Sequence, residues 1–262
     1  MAPIPDSASY VLKLRRAKEH AETISNEISA WEKKEPYSLT KHHDSKGGFH
    51  WLRVELNPVP DWDSWGLLFG DFIHNLRSAL DHLVYGVAVS QKAALSVDEK
   101  RSLQFPICNK GNSFDAQRYR IAPLSQAVRT AIESVQPYNR RHPTHPPLLA
   151  LLRDFDDWDK HRIIKIAFCQ KLNTKANIHH PSWHFVQTVG DFSGEIQNGA
   201  DIFAFTIQPP TLDVNYDYEA AFSVSVSHDA GPTGIRMTEI RTLLDLLLKE
   251  VEAVIGVVTT KI

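Results

Sequence analysis

From Ser64 to Ser90 apolar and polar positions recur with the 3.6-residue period of an amphipathic helix. With Arg77 at zero and about 100° per residue, Ser78, Asp81, His74, Tyr85, Asp71, His82 and Asn75 fall within an arc of about 160°. Leu76, Phe69, Leu80, Leu83, Val87, Phe72, Ile73 and Val84 fill the opposite arc. A helix face bathed in water favours long, flexible Lys, Glu and Gln, which are good helix formers. None of these occurs between Asp71 and Tyr85. The face carries short hydrogen-bonding groups that cost helix propensity, so we expect it to be covered by protein or to line a cleft.

Similar stripes predict helices over about 9–33, 124–135, 147–170 and 234–257. Pro36 ends the first helix, Pro137 ends the second, and Pro147 opens the third. In the 147–170 segment, Leu148, Leu151, Leu152, Phe155, Trp158 and Ile166 form one apolar face, and Asp159 and Arg162 fall inside it. Two charges there must pair or reach another polar surface, and the polar face of 64–90 is the natural target. Residues 37–43 and 49–56 flank the loop Asp44-Ser45-Lys46-Gly47-Gly48 and read as a β-hairpin. Strand-like runs return over 183–189, 202–208 and 219–228. The expected fold is α+β: a helical bundle with an appended antiparallel sheet of about five strands, in a single interleaved domain spanning 1–262. The hairpin should join the late strands, because sheet edges need partners.

Composition narrows this picture. The chain has 262 residues, with 29 basic and 31 acidic side chains. That balance argues against a constitutive binder of bulk polyanion and leaves room for a local basic patch. Cys108 and Cys169 lie far apart with no Cys-x2-Cys pairing, so neither a disulfide framework nor a zinc–thiolate site is indicated. No apolar run approaches the roughly 20 residues that span a bilayer, and the N-terminus lacks the pattern of a signal peptide. A cytoplasmic location, no membrane partner and no cofactor are the expectations.

The polar face offers several chemistries. Arg77-x4-His82 is the spacing a metal-free ribonuclease can use, with His82 as general acid or base and Arg77 stabilising charge on a phosphate. Residues five apart on one helix diverge by about 140°, so one phosphate between them needs a groove or a dimer interface. The rival is metal binding by Asp71-x2-His74, Asp81-His82 and Asp157-x3-His161 from facing helices. No Glu-x2-His pair is present, and Arg77 would set a cation among the ligands, so no metal residue is assigned. His42-His43, His142/His145 and His179-His180 read as loop or strand-edge histidines. Ser78 with Asp81 and His82 has the residue types of a nucleophilic triad without the strained elbow that presents one. No phosphate-loop or dinucleotide fingerprint is present. Leu243, Leu244, Leu246, Leu247 and Leu248 are more than one helix face needs, which suggests burial on two sides or a dimer seam.

The segment Asn75-Leu76-Arg77-Ser78-Ala79-Leu80-Asp81-His82 resembles the Arg-x4-6-His motif of the HEPN superfamily, helical nucleases and nucleic-acid-associated proteins that often act as dimers. The resemblance implies a metal-independent ribonuclease, or a nucleic-acid-associated relative, with Arg77 and His82 as the catalytic pair. RNA and a second copy of the chain would be its partners. His74, Asn75, Ser78, Asp81, Asp159 and Arg162 would support the pair, and Lys160 and His161 would contact phosphate. A second resemblance, to a family of bacterial proteins without an assigned activity, rests on four segments: 75–82, Phe105-Pro106-Ile107, Gln136-Pro137-Tyr138 and Asp159-Lys160-His161-Arg162. It implies that these segments belong to one design and converge in space. The competing class is a non-catalytic binding or scaffold protein, in which the polar face is a buried network that fixes helix register.

Overall fold

The computed structural model describes residues 8–91, 94–140, 147–170, 175–181, 184–189, 194–219, 221–229 and 235–262. The fold is α+β, with helices alongside antiparallel sheets. The chain divides into two compact units. One comprises Met1–Ser25, Asp63–Ile164 and Arg241–Ile262; the other comprises Asn26–Trp62 and Lys165–Ile240.

The first unit is helical. It holds most of α1 (Ser9–Glu32), α2 (Trp62–Gln91), the short α3 (Val97–Ser102) and α4 (Gly111–Gln117), α5 (Gln126–Ser134), α6 (Leu148–Asp159) and α7 (Ile240–Thr259). Phe69, Phe72, Ile73, Leu76, Leu80 and Leu83 of α2 are fully buried, as the apolar arc requires. The Phe69 ring meets Phe155 of α6 edge-on at 5.3 Å. Two glycines of α2 let the end of α6 and the chain that follows it approach this closely. A Cβ at Gly66 would lie 2.6 Å from the Ile164 carbonyl, and one at Gly70 would collide with the Asp159 carboxylate. On α7, Leu243, Leu244, Leu247, Val251 and Val254 are buried while Leu246 is exposed, so one face meets the core.

The second unit is built on strands. Its four-stranded sheets run in the orders β1-β2-β7-β5 and β10-β9-β3-β6, with β4 and β8 as a separate pair. The strands are β1 (Tyr37–His43), β2 (Phe49–Leu56), β3 (Ile166–Gln170), β4 (Lys175–His179), β5 (Phe185–Thr188), β6 (Gly194–Ile196), β7 (Asp201–Gln208), β8 (Asn215–Glu219), β9 (Phe222–Asp229) and β10 (Ile235–Glu239). The expected hairpin forms β1 and β2, with Gly47 at φ +68 in its turn and the Asp44 carboxylate accepting the Gly48 N–H at 2.8 Å. β2 pairs with β7, which joins the hairpin to the late strands. His50 of β2 and Phe205 of β7 stack at 5.0 Å on the buried face.

Two element boundaries differ from the sequence pattern. The helix expected over 147–170 ends at Asp159, and Ile166–Gln170 is β3. Ile163, Ile164 and Ile166 crowd three β-branched side chains into the end of the segment, which favours the extended chain. The last helix starts at Ile240 because Ile235–Glu239 pairs with β9 as β10. The strands also divide among three sheets rather than one. His142 and His145, expected in a loop, and Trp183, the expected start of a strand, lie outside the described residues.

Candidate functional site: a cation-lined cavity on the second helix

The polar face of α2 is partly covered, and by two different elements. Asn75 and Arg77 are buried, Ser78, Asp81 and His82 are half-buried, and Asp71, His74 and Tyr85 are exposed. α1 supplies one cover. Lys13 donates to the Asn75 amide oxygen at 3.4 Å, and Asn75 donates to the Asp71 carbonyl at 2.8 Å. Buried His20, also on α1, has its pKa lowered by burial and by Arg16, against the opposing pull of Asp71.

The other cover is the segment after α3. Arg77 donates through Nη2 to the Phe105 carbonyl at 2.8 Å and pairs with Asp81 at 3.2 Å. Asp81 in turn accepts the Phe105 N–H at 2.8 Å. One turn of α2 therefore holds both backbone polar groups of Phe105, which is itself fully buried. Gln136 holds the next residues. Its fully buried amide accepts the Cys108 N–H at 2.9 Å and donates to the carbonyls of Pro106 at 2.8 Å and Ile132 at 3.0 Å. The segments around 75–82, 105–107 and 136 thus meet through hydrogen bonds. Burial raises the Asp81 pKa, opposed by Arg77 and by the Phe105 N–H.

Beside this clip lies a cavity of ≈ 300 Å³ lined by Arg77, Gln104, Ile107, Gln117, Arg120, Arg153, Asp156, Asp157 and Lys160. Arg77 is 8% exposed, and its second terminal nitrogen, Nη1, is buried without a hydrogen-bond partner among the described residues. Such a donor costs about 1–3 kcal/mol unless something accepts from it. The remaining charges are unevenly matched. Lys160 Nζ lies 2.8 Å from Asp156 and 3.2 Å from Asp157, and the Asp156 hydrogen bond is the main cause of its raised pKa. Arg153 pairs with Asp154 at 2.6 Å. Among the described residues Arg120 bonds the neutral Gln104 amide oxygen and the Tyr119 hydroxyl and no carboxylate.

The residues that the sequence singled out are thereby separated. Arg77 and Lys160 line the cavity, and Asp81 sits behind Arg77. His74 lies 3.7 Å from Asp156 and 3.4 Å from the Ser78 hydroxyl, on the exposed side. His82 is half-buried and does not line the cavity. Asp159 packs against Gly70, where burial raises its pKa and nearby Asp71 and Asp156 add to the rise. His161 and Arg162 follow the end of α6 and are exposed, with the Arg162 guanidinium 5.0 Å from the Trp158 ring. The expected Asp159–Arg162 pair on a helix surface therefore does not form, because the helix stops before Arg162.

Arg153 and Asp156 were missed, and Asp157 was weighed only as a metal ligand, although the sequence could have shown all three beside Lys160. Arg153, Asp156, Asp157 and Lys160 fall at i, i+3, i+4 and i+7, a single polar stripe of the α6 segment. Gln104 comes from irregular chain, Gln117 ends the short α4, and Arg120 sits in the 3-10 turn Arg118–Ile121 after it, so none carries a long periodic signal.

No family model, curated protein or solved structure matches this chain. The site is therefore judged on its own chemistry. Among the described residues no group of three or more His, Cys, Asp or Glu side chains is placed to hold a metal ion, and no helix is long and apolar enough to cross a membrane.

Proposed function

We propose that the helical unit is a binding module for a small anionic ligand, with Arg77 as its anchor. The observation that carries this reading is the convergence of Arg77, Arg120, Arg153 and Lys160 on one cavity, with the Arg77 guanidinium held rigidly behind its wall. Asp81 and the Phe105 carbonyl fix the guanidinium in place, so it meets a ligand without reorganising. The fork of one arginine matches a carboxylate or phosphate edge, and a charge-assisted bond there is about twice as strong as a neutral one. Thermal denaturation with and without millimolar oxyanions tests it. Wild-type protein is expected to melt at higher temperature with an anion that fits, and Arg77→Lys protein is expected to lose the shift.

The same cations favour a second reading, a metal-independent ribonuclease or nucleic-acid-associated protein of the HEPN kind. Arg77 would hold a phosphodiester, and a second copy of the chain would bring His82 and Arg77 to one phosphate. Incubation with RNA in EDTA separates the readings. Cleavage lost in Arg77→Lys and in His82→Ala supports the nuclease, and cleavage that persists in both rejects the pair. We assign the protein to the cytoplasm, where its buried thiols Cys108 and Cys169 stay reduced.

A further inference from the structure

The charges around the cavity are unevenly matched, and the mismatch describes a ligand. Arg77 is offset by Asp81 and Arg153 by Asp154, both acids lying outside the cavity lining. Lys160 alone serves two lining acids, Asp156 and Asp157. Asp156 is 5% exposed, and its other oxygen lies 3.7 Å from the nearest basic nitrogen, Nδ1 of His74, beyond hydrogen-bond distance. Among the described residues Arg120 has neutral partners only. The wall therefore presents about one uncompensated positive charge, at Arg120, and about one uncompensated negative charge, shared by Asp156 and Asp157. A phosphate dianion would overfill the first and be repelled by the second. Ile107 is the one apolar side chain among the lining residues, so the ligand is polar throughout. A volume of ≈ 300 Å³ is at the small end of metabolite pockets, which run from about 300 to 1,000 Å³.

Resting on the anion-binding reading above, we propose that the ligand is a small zwitterion of the amino-acid class. Its carboxylate faces the Arg77 guanidinium and bonds Arg120, and its ammonium group meets Asp156 and Asp157. Neither end requires a charged residue to abandon its present partner. Asp156 and Asp157 together have acceptor positions beyond the two that Lys160 uses, and Arg77 keeps both Asp81 and Phe105 through Nη2.

Titration calorimetry on the full chain tests the assignment, with the common amino acids, acetate, inorganic phosphate and adenosine monophosphate as separate probes. The expected result is saturable binding of one or a few polar amino acids, tighter than acetate or either phosphate compound. Two variants at accessible positions then divide the contacts. Arg120→Gln weakens that amino acid roughly tenfold, the cost of one charge-assisted contact. Asp157→Asn weakens it several-fold but leaves the affinity of the matching hydroxy acid, which lacks the ammonium group, unchanged. Unliganded melting temperatures equal to wild type show that both variants fold. Tighter binding of phosphate or adenosine monophosphate, or equal binding of acetate, overturns the zwitterion while the anion reading stands. An unaltered amino-acid affinity in Asp157→Asn overturns the ammonium contact. Saturable binding of none of the probes overturns both proposals.

Discussion

Arg77 illustrates how one side chain serves two purposes. Through Nη2 and Asp81 it pins Phe105 to α2, and through Nη1 it leaves a donor unspent beside a cavity. Removing it strands a mostly buried carboxylate and a carbonyl together. Arg77→Ala is therefore expected to lose about 3 kcal/mol in urea denaturation, in the range for breaking one side of a buried pair. A loss within experimental error would show that the clip is not needed. The two raised carboxylates have the opposite sign. Asp81 and Asp159 bind a proton more readily in the folded chain than in the unfolded one, because burial disfavours their ionised forms. Their ionisation thus works against the fold as pH rises from the ordinary carboxylate range through their raised pKa values. For Asp159, which has no arginine partner among the described residues, Asn removes that penalty. Asp159→Asn is expected to be more stable than wild type at neutral pH, with the advantage shrinking on acidification as the wild-type carboxyl gains its proton. Denaturant midpoints at neutral and acid pH check this, and a variant less stable at neutral pH contradicts it.

Elements were legible where one periodic pattern decided them. α2 was expected over 64–90 and spans Trp62–Gln91, because its two arcs are cleanly segregated over many turns. The absence of Lys, Glu and Gln from its polar arc correctly marked Asn75 and Arg77 as covered, although His74 and Asp71 face outward. The arc does not encode which neighbour covers which residue. That depends on where the chain after α3 returns, and no local periodicity records it. The end of α6 was misjudged because Trp158-Asp159-Lys160 continues a helical stripe with no Gly or Pro to stop it. The glycines of α2 give the element a contrast of its own. Alanine is the better helix former by up to about 1 kcal/mol, and Gly86 has open space where a Cβ would stand. Gly86→Ala is expected to stabilise by about 0.5–1 kcal/mol. Gly66→Ala places its methyl group 2.6 Å from the Ile164 carbonyl, and overpacking should outweigh the helix gain, for a net loss of about 1–2 kcal/mol. Thermal melts of the pair check both signs, and a stabilised Gly66→Ala would refute the close approach of the α6 end.

At the scale of the molecule, each compact unit is assembled from separated stretches of chain, and α1 contributes residues to both. A chain threaded in this way is expected to unfold in one cooperative transition. Calorimetric and van't Hoff enthalpies of unfolding are expected to agree, and two resolved transitions would contradict that. The near-neutral total charge hides the local imbalance around the cavity, so a function read from the totals of 29 basic and 31 acidic residues alone would miss it. The central claim remains that Arg77 is the anchor of an anion site, and titration calorimetry of wild type against Arg77→Lys addresses it most directly. Lysine keeps a positive charge opposite Asp81 but cannot bond Phe105 and a ligand at once in the fork geometry of arginine. The account predicts saturable, one-site anion binding by wild type, weaker by roughly tenfold or more in a correctly folded Arg77→Lys protein. Equal affinity in the two proteins, or no saturable anion binding by wild type, would contradict it.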